Sequence, residues 1–195
     1  STNGGINWGN ETRLTNDPAA SETPCISASG SVVHVVWTDN RNGFQAEIYY
    51  KRSTDGGVSW GADTRLTTDP AGSWGASVSA SGVFVQVVWS DGRNGHQDVY
   101  YKRSTDAGEN WGADTPLTNN DSTRIANNPS VAVSGSNVHV VWMNSTRDTF
   151  AYEIYSRHSS DGGINWSADI RLTTNYTSAT LFSAVSVSGA KVHVV

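Results

Sequence analysis

The chain has 195 residues, a formal net charge of −5, 19 glycines and eight tryptophans. Its valine, serine and threonine favour strands and turns, so the composition excludes a helical bundle and an alternating strand–helix enzyme. Lysines and arginines are spread along the chain, which argues against a nucleic-acid groove. No apolar run is long enough to span a bilayer. The lone Cys25 excludes an internal disulfide and a cysteine-based zinc site, and we predict no cofactor and no metal.

One eight-residue pattern, Ser-x-Asp-x-Gly-x-x-Trp, occurs four times and is called the Ser-Asp motif below. Its copies occupy residues 1–8, 53–60, 104–111 and 159–166, so their starts are 52, 51 and 55 residues apart. The first copy carries Asn in place of Asp. We predict a structural role for the residues at the fixed positions: Asn3, Gly5 and Trp8; Ser53, Asp55, Gly57 and Trp60; Ser104, Asp106, Gly108 and Trp111; Ser159, Asp161, Gly163 and Trp166.

The Ser-Asp motif has the chemistry of a tight turn. An Asp or Asn side chain can accept hydrogen bonds from the backbone N–H groups of the turn that it starts. The glycine at the fifth position supplies a positive φ, and the tryptophan can cover the hairpin. These properties favour a fold-stabilising role over a catalytic one.

The segments around each motif repeat as well. A short Thr-Arg-Leu-Thr-like strand, a polar loop, an alternating strand and a nearly continuous apolar strand recur, which gives four short strands per unit. We expect complete four-stranded sheets at residues 25–67, 76–118 and 129–173, a strand of a preceding sheet at 12–15, and two strands after residue 182. The repeat units are residues 1–52, 53–103, 104–158 and 159–195. The predicted fold is all-β, a β-propeller segment of about 3.7 four-stranded antiparallel blades.

The Ser-Asp motif, placed between the third and fourth strands of a unit, resembles the Asp-box, or bacterial neuraminidase repeat. This repeat occurs in sialidases and in many propellers that are not sialidases. The resemblance covers the whole chain and implies a six-bladed propeller, which would need about 310 residues at this repeat length. Further blades of the same chain, or other copies, are then expected to complete the ring.

The resemblance carries less information about chemistry than about fold. Sialidases also have an Arg-Ile-Pro motif, three arginines that grip the substrate carboxylate, a Tyr–Glu nucleophile pair and an acid/base Asp. No residue of this chain can be assigned to these roles by motif, so no catalytic residue is predicted.

Three arginines are the first candidates for ligand binding: Arg41, Arg93 and Arg147, one in each loop between the second and third strands. In propellers these loops share one end of the molecule with the loops that join consecutive blades. Converging arginines could bind a carboxylate or sulfate. The alternative is that Arg41 and Arg93 brace their own loops through Asp39 and Asp91.

Further candidates lie in the same set of loops. Trp74 could stack on a sugar, or it could be a hydrophobic lid on its own blade. His96, Tyr176 and Phe44 are lesser candidates for this end of the molecule. The repeated histidines His34, His139 and His193 are expected to pack inside strands.

Two classes of function remain open. The first is a non-enzymatic extracellular or cell-surface propeller that binds carbohydrate or protein, or serves as a structural repeat. The second is a segment of an exo-sialidase or related glycoside hydrolase whose other blades supply the catalytic groups. Five Asn-x-Ser/Thr sequons give weak support for secretion. Neither nucleic acid nor a membrane span is expected.

Overall fold

The computed structural model describes residues 1, 3–43, 45–121, 123–146, 152–174 and 183–195. These residues form three four-stranded antiparallel sheets and one two-stranded sheet, and they include no helix, which confirms the predicted fold class. Sheet 1 contains β1 (Ser21–Ser29), β2 (Val32–Asp39), β3 (Glu47–Ser53) and β4 (Thr64–Arg65). Sheet 2 contains β5 (Ser73–Ser81), β6 (Phe84–Asp91), β7 (Asp98–Ser104) and β8 (Thr115–Pro116). Sheet 3 contains β9 (Arg124–Ser134), β10 (Asn137–Thr146), β11 (Tyr152–Ser159) and β12 (Ile170–Arg171), and β13 (Val185–Ser188) pairs with β14 (Lys191–Val194).

The predicted boundaries need two corrections. Each sheet starts three to five residues earlier than expected, because a register shift near the start of its first strand lets pairing continue past the alternating pattern. Residues 12–15 form no strand, since no described strand lies beside them to pair with. They still occupy the place of a fourth strand. Lys51 Nζ donates to the carbonyl oxygen of Leu14 at 2.6 Å. In the same way, Lys102 Nζ donates at 2.5 Å to the carbonyl oxygen of Leu66, the residue that follows β4.

The hydrophobic core lies between consecutive sheets. One cluster joins Val36, Ile48 and Tyr50 of sheet 1 to Val87 and Trp89 of sheet 2. A second cluster joins sheet 2 to sheet 3 in the same manner. The second strand of each sheet is nearly continuously apolar because it is covered on both faces by this packing.

Serine side chains connect the first strands of neighbouring sheets. Each first strand is a sheet edge, so alternate backbone N–H groups have no partner within their own sheet. Serine hydroxyls of the preceding sheet accept these bonds. Ser27 accepts from Ala80 N at 3.0 Å, and Ser79 accepts from Val133 N at 3.0 Å. Cys25 stands at a serine position of this row, with its Sγ 3.5 Å from Val78 N.

The Ser-Asp motifs at residues 53–60, 104–111 and 159–166 form turns, named the Ser-Asp turns, and each of the last two docks on the sheet before it. Trp111 meets the Tyr50 ring edge-on at 5.0 Å, and Trp166 meets Tyr101 at 5.2 Å. The backbone of each turn also bonds to the connection between its own first two strands, as in Gly56 N to the Ser31 carbonyl at 2.8 Å. These connections define the turn end of the molecule. The opposite end, called the loop end, carries the loops between second and third strands and the loops between sheets.

Candidate functional site

The Ser-Asp turns use their polar side chains for internal hydrogen bonds. In the second copy, Ser53 Oγ donates to Asp55 Oδ1 at 2.6 Å and accepts from Gly57 N at 2.8 Å. Asp55 Oδ1 also accepts from Ser59 N at 2.8 Å, and these bonds lower the pKa of the Asp55 carboxyl to about 2. In the first copy, Asn3 Oδ1 accepts the corresponding bond from the backbone N of residue 7 at 3.0 Å.

The glycine at the fifth position of the motif has the left-handed backbone that its sequence position suggested. Its φ is +89° at Gly57, +84° at Gly108 and +86° at Gly163. At Gly108 and Gly163 a second constraint applies, because the tyrosine hydroxyl of the preceding sheet occupies the space where a Cβ would lie. These groups serve the packing of the turn end.

Two of the candidate arginines are held by carboxylates of their own sheets. Arg41 donates through Nε and Nη2 to the two oxygens of Asp39 at 2.8 and 2.7 Å, and through Nη1 to Asp63 at 2.7 Å. Its guanidinium carbon lies 4.3 Å from the centroid of the Tyr49 ring. All three guanidinium nitrogens of Arg41 therefore already bind carboxylate oxygens.

The same arrangement recurs in sheet 2. Arg93 donates to both oxygens of Asp91 and to Asp114 at 2.7–2.9 Å, and its guanidinium carbon lies 4.2 Å from the Tyr100 centroid. Burial raises the pKa of Asp91, but the hydrogen bonds from Arg93 and Trp89 outweigh it and lower the pKa overall. We call this arrangement of an aspartate pair, an arginine and a tyrosine ring the Asp–Arg brace.

Within the described residues, sheet 3 has no Asp–Arg brace. Asp39 and Asp91 are the second residues after Trp37 and Trp89, and the corresponding residue after Trp142 is Asn144. Arg41 and Arg93 are the fourth residues after those tryptophans, a position that Thr146 holds in sheet 3. The expectation that Arg147 is equivalent to the other two arginines is therefore wrong by one residue. Arg147 itself lies outside the described residues.

A cavity of about 350 Å³ lies between sheets 2 and 3, on the side of sheet 3 where the brace would be, and it is called the groove cavity. The loop after sheet 2 contributes Thr118, Asn119, Asn120 and Asp121 to its lining, and the start of β9 contributes Arg124. Sheet 3 contributes Asn144, Tyr155, Arg157 and Asp169. Tyr155 and Asp169 are the counterparts of Tyr49 and Asp63 in sheet 1. The groove cavity thus keeps the ring and one carboxylate of the brace but has no described guanidinium between them.

Hydrogen bonding around the groove cavity is incomplete. Arg157 Nε binds Asp169 Oδ1 at 2.5 Å, and Asp169 Oδ2 has no bond within the part of the chain that the structure describes. In sheets 1 and 2 the indole N–H of the second-strand tryptophan donates to the brace aspartate, at 2.7 and 2.8 Å. The indole N–H of Trp142 is fully buried and has no acceptor among the described residues. Uncompensated burial of such a donor costs about 1–3 kcal/mol.

The remaining candidates within the described residues are Trp74 and His96. Trp74 belongs to β5 rather than to a loop, and its ring packs over Gly72 and Gly92. His96 is mostly buried, with Nε2 3.1 Å from Asp98 Oδ2. Tyr176 and Phe44 lie outside the described residues. Among the described candidates, none lines the groove cavity.

The residues of the groove cavity were missed by sequence reasoning. The signal was present, because counting from the tryptophan of each second strand shows Asn144 and Thr146 in place of an aspartate and an arginine. The arginine one position further on masked that difference. Tyr155 and Asp169 could be recognised only after the contacts of Tyr49 and Asp63 with Arg41 were known.

No group of three or more His, Cys, Asp or Glu side chains within the described residues is arranged to hold a metal ion. The described residues also contain no helix with the length and apolarity needed to cross a membrane.

Comparison with known proteins identifies the fold and leaves the family open. No family model and no curated protein sequence matches the chain. Among solved structures, an α-L-arabinanase from Penicillium chrysogenum, complexed with arabinobiose, superposes with a TM-score of 0.61 at 18% identity, over 84% of this chain and 53% of that one. A sialidase from Trypanosoma rangeli superposes with a TM-score of 0.66 at 14% identity, over 90% and 34%. A Hadza microbial sialidase superposes with a TM-score of 0.63 at 15% identity, over 85% and 39%.

These likenesses establish a sialidase-like propeller fold. The chain spans between one third and about half of the length of these proteins. At such low identity the likeness concerns the fold alone.

Proposed function

We propose that this chain is part of an extracellular, sialidase-like β-propeller that binds carbohydrate at its loop end. The observation that carries the proposal is the groove cavity, which combines a tyrosine ring with amide, carboxylate and guanidinium groups. An aromatic face with a few polar groups around it suits a sugar, which presents C–H groups on one face and hydroxyls at its edge. A volume of about 350 Å³ is within the usual range of small-molecule pockets.

The described carboxyl groups with a shifted pKa offer no general acid. Most glycosidases place two carboxyl groups across the scissile bond, and the general acid has a raised pKa. Among the described carboxyl groups whose pKa departs from the ordinary range, the departure is downward. These groups are Asp39, Asp55, Asp63, Asp91, Asp106, Asp121, Glu153 and Asp161. They hold their protons too weakly to act as a general acid near neutral pH.

The structural neighbours support a second candidate, a segment of a glycoside hydrolase. Those proteins are an arabinanase and sialidases, and the chain covers only part of each of them. In this candidate the catalytic carboxylates belong to other blades of the complete protein. Hydrolysis of arabinan or of a sialyl-lactose by the full-length protein would favour it over a binding module.

The remaining assignments follow from the same proposal. We take the Ser-Asp turns to be Asp-boxes, because their serine, aspartate and glycine make the same hydrogen bonds in the second, third and fourth copies. The partners are a glycan or a glycosylated surface protein, with further blades of the same chain, or other copies, completing the ring. Extracellular placement accords with the secreted character expected of a glycan-binding propeller.

Glycan-array binding of the full chain tests the proposal. We expect a restricted set of glycans to bind and Tyr155→Ala to remove that binding, while Arg13→Ala, an exposed control, leaves it unchanged. Absence of binding to every glycan by folded protein would contradict a carbohydrate function for this chain.

A further inference from the structure

The equivalent positions of sheets 1, 2 and 3 can be compared to infer what kind of group the groove cavity binds. In sheet 1 the space beside Tyr49 is filled by the guanidinium of Arg41, and in sheet 2 the space beside Tyr100 is filled by that of Arg93. In sheet 3 the equivalent ring, Tyr155, lines a cavity. The backbone framework is retained, because Trp142 and Tyr155 stack at 6.2 Å, as Trp89 and Tyr100 do.

The charged residues around this position indicate whether a bound ligand would be charged or neutral. In sheet 1 the charged residues at this position are Asp39, Arg41 and Asp63 of the brace and Lys51, which pairs with Asp63 at 2.8 Å, and their charges sum to zero. In sheet 3 the same four positions are Asn144, Thr146, Arg157 and Asp169, which also sum to zero. One negative and one positive charge were lost together. A site whose own charges already cancel offers a charged ligand no net opposite charge, and such a ligand would still lose part of its hydration on binding.

The rim of the groove cavity is balanced in the same way. Asp121, from the loop after sheet 2, and Arg124, the first residue of β9, carry opposite charges, and Asp121 accepts a hydrogen bond from the backbone N of Thr123 at 2.9 Å. The described residues around the groove cavity therefore form neither a positive rim for an acidic glycan nor a negative one for a cation.

The groups that line the groove cavity complement hydroxyls. The amide of Asn144 can donate and accept, and Asp169 Oδ2 can accept. Trp142, two residues before Asn144 in the chain, is fully buried and is not part of the cavity lining, but its indole N–H lacks an acceptor among the described residues. The Tyr155 ring offers the flat surface that carries a guanidinium in the other two sheets. A pyranose or furanose ring can stack there while its hydroxyls reach these groups.

We propose that the groove cavity between sheets 2 and 3 is a subsite for an uncharged sugar residue, stacked on Tyr155 and hydrogen-bonded by Asn144 and Asp169. This inference rests on the proposed carbohydrate function and adds both the place and the chemical class of the ligand. The site is distinct from the arginines of sheets 1 and 2, whose guanidinium groups are held by carboxylates.

Calorimetric titration of the full chain with single methyl glycosides tests the proposal. The panel contains neutral methyl glucoside, galactoside and arabinoside, anionic methyl glucuronide and sialoside, and cationic glucosamine. We expect a neutral glycoside to bind and the charged ones to bind at least about tenfold more weakly. Tyr155→Ala should weaken the neutral ligand at least about tenfold, and Tyr155→Phe, which keeps the ring, should bind within about threefold of the parent.

A charge variant gives a second readout that does not depend on removing the ring. Asn144→Asp restores the carboxylate of the other two sheets without restoring the arginine. We expect this variant to lose affinity for the neutral glycoside and to bind guanidinium ion, which the parent does not bind. Trp74→Ala, at the other aromatic candidate of the loop end, is the matched control and should bind as the parent does.

The outcomes separate the inference from the function on which it rests. Neutral binding that survives Tyr155→Ala, or that is lost with Trp74→Ala, overturns the site and leaves carbohydrate binding standing. A preference of the parent for anionic glycosides or for guanidinium overturns the charge argument. If no sugar binds the folded parent, the proposed function fails as well. Binding of guanidinium only after Arg147→Ala would show that the chain fills the cavity itself.

Discussion

Replacement of Gly108 by alanine tests how the Ser-Asp turns hold the sheets together. The new Cβ would lie 2.0 Å from the Tyr50 hydroxyl oxygen and 2.9 Å from Tyr50 Cζ, so the tyrosine must move. That movement breaks the 2.7 Å hydrogen bond between Tyr50 and His34 Nδ1, in the packed contact between turn and sheet. The positive φ of +84° adds backbone strain.

The chain offers a matched control at Gly57, whose φ is +89° and whose Cβ would meet nothing closer than the Trp60 ring at 3.6 Å. Both variants carry the backbone strain of about 1–2 kcal/mol. Gly108→Ala also carries overpacking of about 1–3 kcal/mol and a lost hydrogen bond of about 1 kcal/mol. We expect Gly108→Ala to lose about 3–6 kcal/mol of unfolding free energy and Gly57→Ala about 1–2 kcal/mol.

Urea unfolding of the full chain, followed by tryptophan fluorescence, measures both losses. Removing the obstructing oxygen with Tyr50→Phe should recover part of the loss in Gly108→Ala, which appears as a favourable coupling in a double-mutant cycle. Equal losses for Gly108→Ala and Gly57→Ala, with no coupling to Tyr50, would refute the view that docking on the preceding sheet fixes this glycine.

Three further predictions concern groups within and between the sheets. Burial, and to a smaller extent Arg52, lowers the pKa of His34 to about 4, so the unfolded chain takes up a proton at a higher pH than the folded one. The free energy of unfolding should therefore fall as pH drops from 6.5 towards 4. His34→Gln, which introduces the residue found at this position in sheet 2, should flatten that dependence in urea unfolding measured at several pH values. Arg93→Ala leaves the buried Asp91 without its cation and should cost about 3 kcal/mol or more in thermal unfolding, whereas exposed Arg13→Ala should cost less than about 0.5 kcal/mol. Ser79→Ala removes the acceptor of an edge N–H and should cost about 1–3 kcal/mol while speeding amide exchange at residue 133; unchanged exchange there would contradict the serine row.

The fold could be predicted from the sequence because its determinants are local and repeated. The Ser-Asp motif, the alternating first strand and the apolar second strand each recur with one spacing, and repetition separates these patterns from chance. The alternation does not extend through the register shift near Cys25, which explains why the first strands were predicted to start too late. The strand expected at residues 12–15 failed because strand formation needs a partner as well as a suitable sequence.

The candidate site was harder to predict because its signal is a departure from the repeat. An arginine in each loop suggested an anion site, yet the role of Arg41 depends on Asp63, 22 residues further along the chain. The absence of that role in sheet 3 becomes visible only when Asn144 is aligned with Asp39. Chemistry that depends on contacts between strands could not be read from spacing along one strand.

The indole N–H resonances of the second-strand tryptophans provide the most direct test of the sugar subsite in the groove cavity. The full chain is titrated with the neutral methyl glycoside that it binds and followed by ¹H–¹⁵N NMR. We expect the Trp142 indole signal, assigned by Trp142→Phe, to shift, because the Trp142 ring stacks on the cavity residue Tyr155 and its N–H lacks an acceptor among the described residues. The Trp37 and Trp89 indoles should stay in place, because Asp39 and Asp91 already accept their hydrogen bonds. If the sugar saturates the protein and the Trp142 signal does not shift, or if the Trp74 signal shifts instead, the proposed sugar subsite is wrong.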